Sequence, residues 1–382
     1  MLLGTFHALV SAFSQSFNLT KRKGETMSAP IMKNEPEMNR REFVKTAAAG
    51  AAGLALMGLP AGKSEAVAKY PHWGEVVIVR DENATQGPDV NLKVVQSMLD
   101  EAIQALTKGG GWPSLIPSYK TGEKVGIKVN CQIPLMSTQW KVVGAVIRGL
   151  VGMGIPQKNI VIWDTDSESM KYTAMGWVRS VFPEIRLATT DKLKDPFDPG
   201  KSMDILGNRT CFSRLLTDTD HLINVPVLKN HFEAGITFAL KNHLGSAGEN
   251  VKDRQKIFHL PPEEGNRWHK ILGRGKPKGE AIALINTAPD IKNKTRLIVG
   301  DALFGSCTMG PISPADFVYN GLIIGTDPVA TDHQVRLIIE NERKKRNLPL
   351  VPPTHIDHAI QLGLGAPVDE VKVIPVDRSK KG

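Results

Sequence analysis

The densest run of side chains able to do chemistry is residues 225–245, VPVLKNHFEAGITFALKNHLG. It sets Lys229, His231, Lys241, Asn242 and His243 around an apolar stretch. A lysine in such a run either snorkels to water or faces a cleft and holds an anion. Imidazole works near neutral pH as an acid–base group or as a metal ligand. His231 is a candidate for either role, and so is His259 of the later Phe258-His259 pair, although a histidine beside an aromatic residue is also explained by packing alone. Four more polar residues close predicted strands: Asn130, Asp164, Asp301 and Asp327. In open α/β sheets ligands bind beyond the carboxyl ends of the strands, so four parallel strands would gather these side chains at one edge. Aspartate after a strand is equally a routine helix N-cap. Asp327 precedes Pro328, which suits the first helical position, and Asp332 lies in the first turn, where the helix dipole favours a carboxylate.

The elements that must position these residues alternate. Glu75–Arg80, residues 124–129, 159–163, 221–226, 295–300, 321–325 and 371–375 read as strands. Residues 91–106, 141–153, 278–287, 330–345 and 355–362 carry helical spacing of apolar residues. Residues 234–240 fit helix or strand. This rhythm predicts an α/β fold, a mainly parallel sheet with crossover helices. A long, polar, irregular insertion interrupts it around residues 245–275, a length that in a compact domain suits a lid or binding element.

Composition narrows the classes of function. Hydrophobic residues at 41% and charged residues at 23% are ordinary for a globular domain with a sizeable core. The net charge of +9 suits an anionic ligand or surface, or simply a solvated basic exterior. Aromatic residues are 6%, and the basic residues form no interleaved stripe, so no nucleic-acid partner is expected. Phosphate-loop, nucleophile-elbow, zincin, c-type haem and dinucleotide motifs are absent from the sequence. The three cysteines, Cys131, Cys211 and Cys307, are widely spaced and lack any C-x-x-C, so no self-held iron–sulfur cluster is expected.

The leader sets a compartment. Asn39-Arg40-Arg41-Glu42-Phe43-Val44-Lys45 precedes the apolar residues 46–60, and Ala66-Val67-Ala68 has the form of a signal peptidase site. The apolar run is too short for a membrane span, which needs about 20 residues. The paired arginines resemble the twin-arginine consensus. Residues 1–68 are therefore expected to be an N-terminal extension and signal peptide, with the twin-arginine translocase as a partner during export. Residues 69–382 are expected to form a single periplasmic α/β domain with no stable membrane span.

The mature chain resembles the domain of unknown function 362 family over roughly residues 75–345. The resemblance is carried by Gly126-Ile127-Lys128-Val129-Asn130, by Val227-Leu228-Lys229-Asn230-His231 with Gly235-Ile236-Thr237, and by Ala239-Leu240-Lys241-Asn242. It continues through Phe258-His259, Gly300-Asp301-Ala302, Gly310-Pro311 and Gly325-Thr326-Asp327-Pro328-Val329-Ala330 with Asp332. Val129 stands where the family often has proline, and Asn230 where it often has threonine. The resemblance implies that the polar residues in these motifs share one ligand or catalytic cleft. Lys241, His231 and His259 would be catalytic, and Asn130, Lys229, Asn242 and Asp332 would bind ligand. His231, His259, Asp301 and Asp327 would hold a divalent metal, if one is the cofactor. The expected function is a metal- or cofactor-dependent enzyme, with redox chemistry among the options, acting on a small anionic ligand. The alternative is a non-catalytic periplasmic anion-binding protein or an accessory protein of a respiratory complex.

Overall fold

The computed structural model describes residues 69–117, 119–248 and 279–378, all within one compact unit, Val67–Gly382. The predicted leader and His259, with most of the predicted insertion, lie outside the described residues.

The chain runs β1 (Glu75–Arg80), α1 (Leu92–Leu106), β2 (Val125–Val129), α2 (Trp140–Gly152), β3 (Ile160–Asp164) and β4 (Arg186–Thr189). It continues through β5 (Phe197–Ile205), β6 (Asn208–Ser213), β7 (His221–Val225), β8 (Val227–His231), β9 (Gly235–Thr237) and the one-turn helix α3 (Ala239–Asn242). After the undescribed stretch come α4 (Gly279–Ile285), β10 (Thr295–Ser306), β11 (Phe317–Gly325), α5 (Pro328–Lys345), α6 (Thr354–Gln361) and β12 (Lys372–Asp377).

The main sheet has ten strands in the order β12-β1-β11-β10-β7-β2-β3-β4, with β8 on the second half of β10 and β9 on β8. Along that order only β11 runs antiparallel to its neighbours. The expected mainly parallel α/β sheet is therefore present. Residues of β2, β3 and β7 are buried throughout, as strands covered on both faces must be. On one face α1 buries Val95, Met98, Leu99, Ala102, Ile103 and Leu106 at helical spacing, and Asn91 caps its start by accepting from the Lys93 and Val94 amides. A second core, including Phe238, Val329, Val335 and Ile356, packs beneath α3, α5 and α6.

Three features depart from the sequence reading. Residues 234–240 divide between β9 and the start of α3. The strands β4, β5, β6 and β8 go unpredicted: β5 (FDPGKSMDI) is mostly exposed and carries Pro199 and Gly200, residues that read as a loop, and β8 follows β7 directly after Pro226, where the predicted strand ends. The third concerns the strand-end carboxylates. The predicted strand 295–300 runs on to Ser306, so Asp301 lies within β10 rather than at its end. The chain then turns back, β11 lies antiparallel, and Gly325 pairs with Val76 and Ile298 near the starts of β1 and β10. Asp327 consequently sits at the amino edge of the sheet, opposite Asn130 and Asp164.

At that edge Asp327 caps α5. Its carboxylate accepts from Val329 and Ala330 at 2.9 and 3.0 Å, and from Gly74 and Ala366 at 3.1 and 2.8 Å. One buried side chain thus joins the segment before β1, the start of α5 and the segment before β12. Replacing Asp327 by Ala removes an N-cap worth about 1 kcal/mol. It also strands buried amides at about 1–3 kcal/mol each. Asp327→Ala is expected to lower the urea-unfolding free energy by roughly 3 kcal/mol or more, with the titration of Lys229 at the opposite edge unchanged.

Candidate functional site

The carboxyl edge holds a continuous polar network. Lys128 is the fourth of the five residues of β2, whose other members are apolar and which is buried throughout. Only 1% of its surface is exposed. Its ammonium reaches past the strand end to Asp164 Oδ1 at 2.9 Å, the Val129 carbonyl at 2.7 Å and Asn242 Oδ1 at 3.3 Å. Asp164, the last residue of β3, also accepts from the Cys131 amide at 2.6 Å and the Thr165 amide at 2.7 Å. Burial alone would raise the Asp164 carboxyl. The Lys128 charge and hydrogen bond, with the two amides, instead hold it below the usual carboxylate range.

From this ion pair a chain of side-chain amides extends in two directions. Asn242 Oδ1 also accepts from Asn130 Nδ2 at 3.1 Å, and Asn130 Oδ1 accepts from Lys229 Nζ at 2.8 Å. In the other direction Asn242 Nδ2 donates to Asn224 Oδ1 at 2.7 Å, and Asn224 Nδ2 lies 3.2 Å from His243 Nε2. Lysine can only donate, so Lys128 and Lys229 force the oxygens of Asn242 and Asn130 to face them. Each amide then has one permitted orientation, and the last nitrogen, on Asn224, requires His243 Nε2 to accept. The proton of His243 therefore sits on Nδ1, 3.1 Å from Ser246 Oγ. Burial, and then the charge of Lys128, lower the His243 imidazole to about 3, so the ring is neutral at pH 7 and the assignment is self-consistent.

Lys229 ends the chain. It is 1% exposed and bonds only neutral acceptors, Asn130 Oδ1 and the Met136 carbonyl, the latter at 2.8 Å. Burial, followed by the like charge of Lys241, brings its ammonium down to about 7. A one-turn helix supplies both Lys241 and Asn242. It is fastened by Asp332, which accepts from the Ala239 amide at 2.7 Å and the Leu240 amide at 3.3 Å. Gly245 lies beside the ion pair: a Cβ there would come 2.8 Å from Thr165 Oγ1 and 3.4 Å from Asp164 Oδ1, so a side chain would have to displace the Thr165 hydroxyl.

The structure brings together Asn130, Lys229 and Asn242, with Lys241 close enough to act on the Lys229 charge. Asp332 lies behind them and acts through α3. His231 follows Lys229 by two residues on the same face of β8, and its Nδ1 accepts from the Glu233 and Ala234 amides at 3.1 and 3.2 Å. Its other nitrogen is therefore the protonated one in the neutral ring.

Asp301 accepts from Gln139 N at 2.7 Å and Leu303 N at 3.3 Å, anchoring the loop whose Met136 carbonyl meets Lys229. Burial pushes the Asp301 carboxyl up to about 6 against those two amides. The residues expected to share a metal do not converge. Val227 pairs with Asp301, so His231 lies about four residues, or ~13 Å of strand, further on. Leu322 also pairs with Asp301, and Asp327 lies beyond Gly325, more than ~10 Å in the other direction. Among the described residues no group of three or more His, Cys, Asp or Glu side chains is arranged to hold a metal ion.

Lys128, Asp164, Asn224 and His243 complete the network; the sequence marks Asp164 as a strand-end residue and His243 as a member of the dense polar run, but assigns none of the four a ligand, catalytic or metal role. The sequence signal for Lys128 is a lysine inside the otherwise apolar strand Val125–Val129. A parallel strand buried on both faces gives its side chains no route to water, so such a lysine must find an internal partner.

Fold and site together define an α/β protein with a cationic, amide-lined edge at the carboxyl ends of its parallel strands. The family model described as a domain of unknown function (DUF362) matches residues 125–335, more than half of the chain, and the protein belongs to that family. The match takes in the whole network. No curated protein matches the chain. Among solved structures, a protein from Thermotoga maritima is 13% identical with a TM-score of 0.40, covering 67% of this chain and 60% of its own. The lactate racemase apoprotein from Thermoanaerobacterium thermosaccharolyticum is 11% identical with a TM-score of 0.40, covering 69% of this chain and 56% of its own. This chain thus spans less than two thirds of either structure.

The folded-state ammonium of Lys229 lies below its unfolded value, so the unfolded chain binds more protons between about pH 7 and the ordinary lysine range. Stability from this group is therefore absent below pH 7 and gained as pH rises through that window. In ¹³C-lysine NMR one Cε resonance, lost in Lys229→Met, is expected to titrate near pH 7. Lys241→Met should move that midpoint upward by removing a like charge. A separate expectation concerns the ion pair: Lys128→Met leaves Asp164 buried with no cation and should cost about 3–5 kcal/mol in chemical unfolding.

Proposed function

We propose that this is an exported protein whose carboxyl-edge cleft binds a small anionic ligand, with Lys229 and Lys241 as the anion-facing charges and Lys229 as a proton donor and acceptor near neutral pH. The observation that carries this reading is the set of partners around Lys229. A buried ammonium that has two neutral acceptors and, among the described residues, no carboxylate in hydrogen-bond contact has its charge only partly offset, by the more distant Asp164. The one carboxylate in the network, Asp164, is already bonded to Lys128 and to two backbone amides. An incoming anion would supply the missing negative charge. By raising the Lys229 ammonium back toward its usual range, it would also draw a proton into the site. His231, on the same face of β8, is the second acid–base candidate, and Asn130 would orient the ligand. A metal held jointly by His231, Asp301 and Asp327 is not supported, because strand register separates them, and no step is assigned to one.

Export by the twin-arginine route rests on Arg40, Arg41 and the A-x-A segment. No helix among the described residues is long and apolar enough to cross a membrane. In cells producing the full chain, Arg40→Lys with Arg41→Lys is expected to leave the protein in the cytoplasmic fraction, where the parent is recovered from the periplasm. Equal distribution of the two would sink the export reading.

Ligand binding is tested by thermal shift and calorimetry with sulfate and oxalate at low ionic strength. Saturable stabilisation is expected, reduced at least tenfold in apparent affinity by Lys229→Ala or Lys241→Ala. The absence of saturable binding, or binding indifferent to both substitutions, contradicts the assignment. A binding protein without turnover is the second reading, favoured by the burial of Lys229 and its two hydrogen bonds to fixed neutral acceptors. His231→Ala distinguishes the two. An enzyme that has His231 as acid–base group should lose rate with affinity largely kept, whereas a binder shows no chemical change in the ligand with either form.

A further inference from the structure

A second cationic concavity lies at the amino edge of the sheet, across from the Lys229 network. The topology creates it. Lys124 immediately precedes β2, Lys158 and Asn159 precede β3, and Arg186 opens β4. These strands are adjacent and parallel, with Val125 paired to Ile160 and Val161 to Arg186, so their entry segments stand side by side. Lys194, in the segment after β4, and Arg214, just after β6, close the rim. The cavity they enclose is about 250 Å³, over an apolar floor that includes Val161 and Leu215.

The charges around it do not balance. Five cations, Lys124, Lys158, Arg186, Lys194 and Arg214, line it with two carboxylates, Asp195 and Asp218, while Asp220 nearby accepts from the Lys124 amide at 2.8 Å. Arg214 is partly engaged by Asp198 at 3.7 Å. Lys124, Lys158, Arg186 and Lys194 have no carboxylate within ion-pair distance among the described residues. Lysines beside an edge strand also discourage strand-to-strand aggregation, and β4 is an edge strand. That role fits Lys171 and Lys192, which line a neighbouring hollow beside β4. It does not account for Lys124 and Lys158, which lead into strands inside the sheet.

The geometry points to a binding site for a compact polyanion with two linked phosphate-type groups, held by Lys124, Lys158, Arg186 and Lys194. A volume somewhat below the range of drug-sized sites, about 300–1,000 Å³, suits a diphosphate-sized group. The surplus of positive charge favours such a group over a single phosphate. Arg186 offers the planar fork that pairs with phosphate oxygens two at a time, while the lysines act as point charges. The site is independent of the Lys229 cleft and stands whether or not that cleft binds anions.

The test is isothermal calorimetry and thermal shift on the purified protein with sodium pyrophosphate, without divalent metal, in low-salt buffer. Saturable binding is expected, at least tenfold tighter than for inorganic phosphate. Lys158→Gln with Arg186→Gln should weaken it at least tenfold, while Lys229→Ala leaves it unchanged. A control pair remote from the cavity, Lys344→Gln with Lys345→Gln, should also leave it unchanged. The proposal is overturned if pyrophosphate does not bind saturably. It is also overturned if the Lys158/Arg186 pair has no effect, if the control pair weakens binding equally, or if Lys229→Ala abolishes it.

Discussion

The carboxyl edge of this protein depends on one buried ion pair, Lys128 with Asp164. Two charges removed from water cost several kcal/mol each unless their remaining hydrogen-bonding positions are filled. Here they are filled by the Val129 carbonyl, the Cys131 and Thr165 amides, and Asn242. The pair links the ends of β2 and β3 and positions the oxygen of Asn242. Through that oxygen it also orients Asn130 and Asn224, and the neutral imidazole of His243 terminates the series. The pair contributes a fixed arrangement of dipoles at the strand ends more than net stability.

Within that arrangement Asp164 is hydrogen-bonded to Lys128 and reaches Lys229 only as a more distant charge. The direct hydrogen-bond partners of Lys229 are neutral oxygens, and Lys241 brings a like charge near it. The remaining carboxylates named in the family motifs serve as fasteners. Asp332 holds the one-turn helix bearing Lys241 and Asn242, and Asp301 holds the loop bearing Met136. Asp327 joins three segments at the far edge. The motif residues thus separate into a group that forms the Lys229 end of the network and a group that fastens the segments around it.

Much of this is legible in the amino-acid sequence. The apolar strands and helical spacing lead to the parallel sheet because burial on both faces leaves so clear a pattern in β2, β3 and β7. Asn130, Lys229 and Asn242, singled out in the sequence as polar residues at a strand end and around an apolar run, are brought into one hydrogen-bonded network. Asp327 is misplaced by sequence reasoning for a specific cause. Local sequence does not encode strand direction, and the reversal at β11 depends on how residues 307–316 turn the chain back. Lys128 escapes notice because a mid-strand lysine reads as a solvated residue until the strand proves to be covered on both faces. His243 is visible as a residue but not as a partner, since its link to Asn224 joins two elements 19 positions apart.

The central claim is that the Lys229 end of this network is a preorganised anion site. The most direct measurement is a crystal structure of the full chain at atomic resolution, grown with selenate and examined by anomalous scattering. The account predicts a selenium peak within hydrogen-bonding distance of Lys229 or Lys241, with Asn130, Asn242 and Asn224 in the orientations that the two lysines impose. Selenate found only elsewhere, with Lys229 closed off behind Asn130 and Met136, would contradict it and make the network a purely structural one.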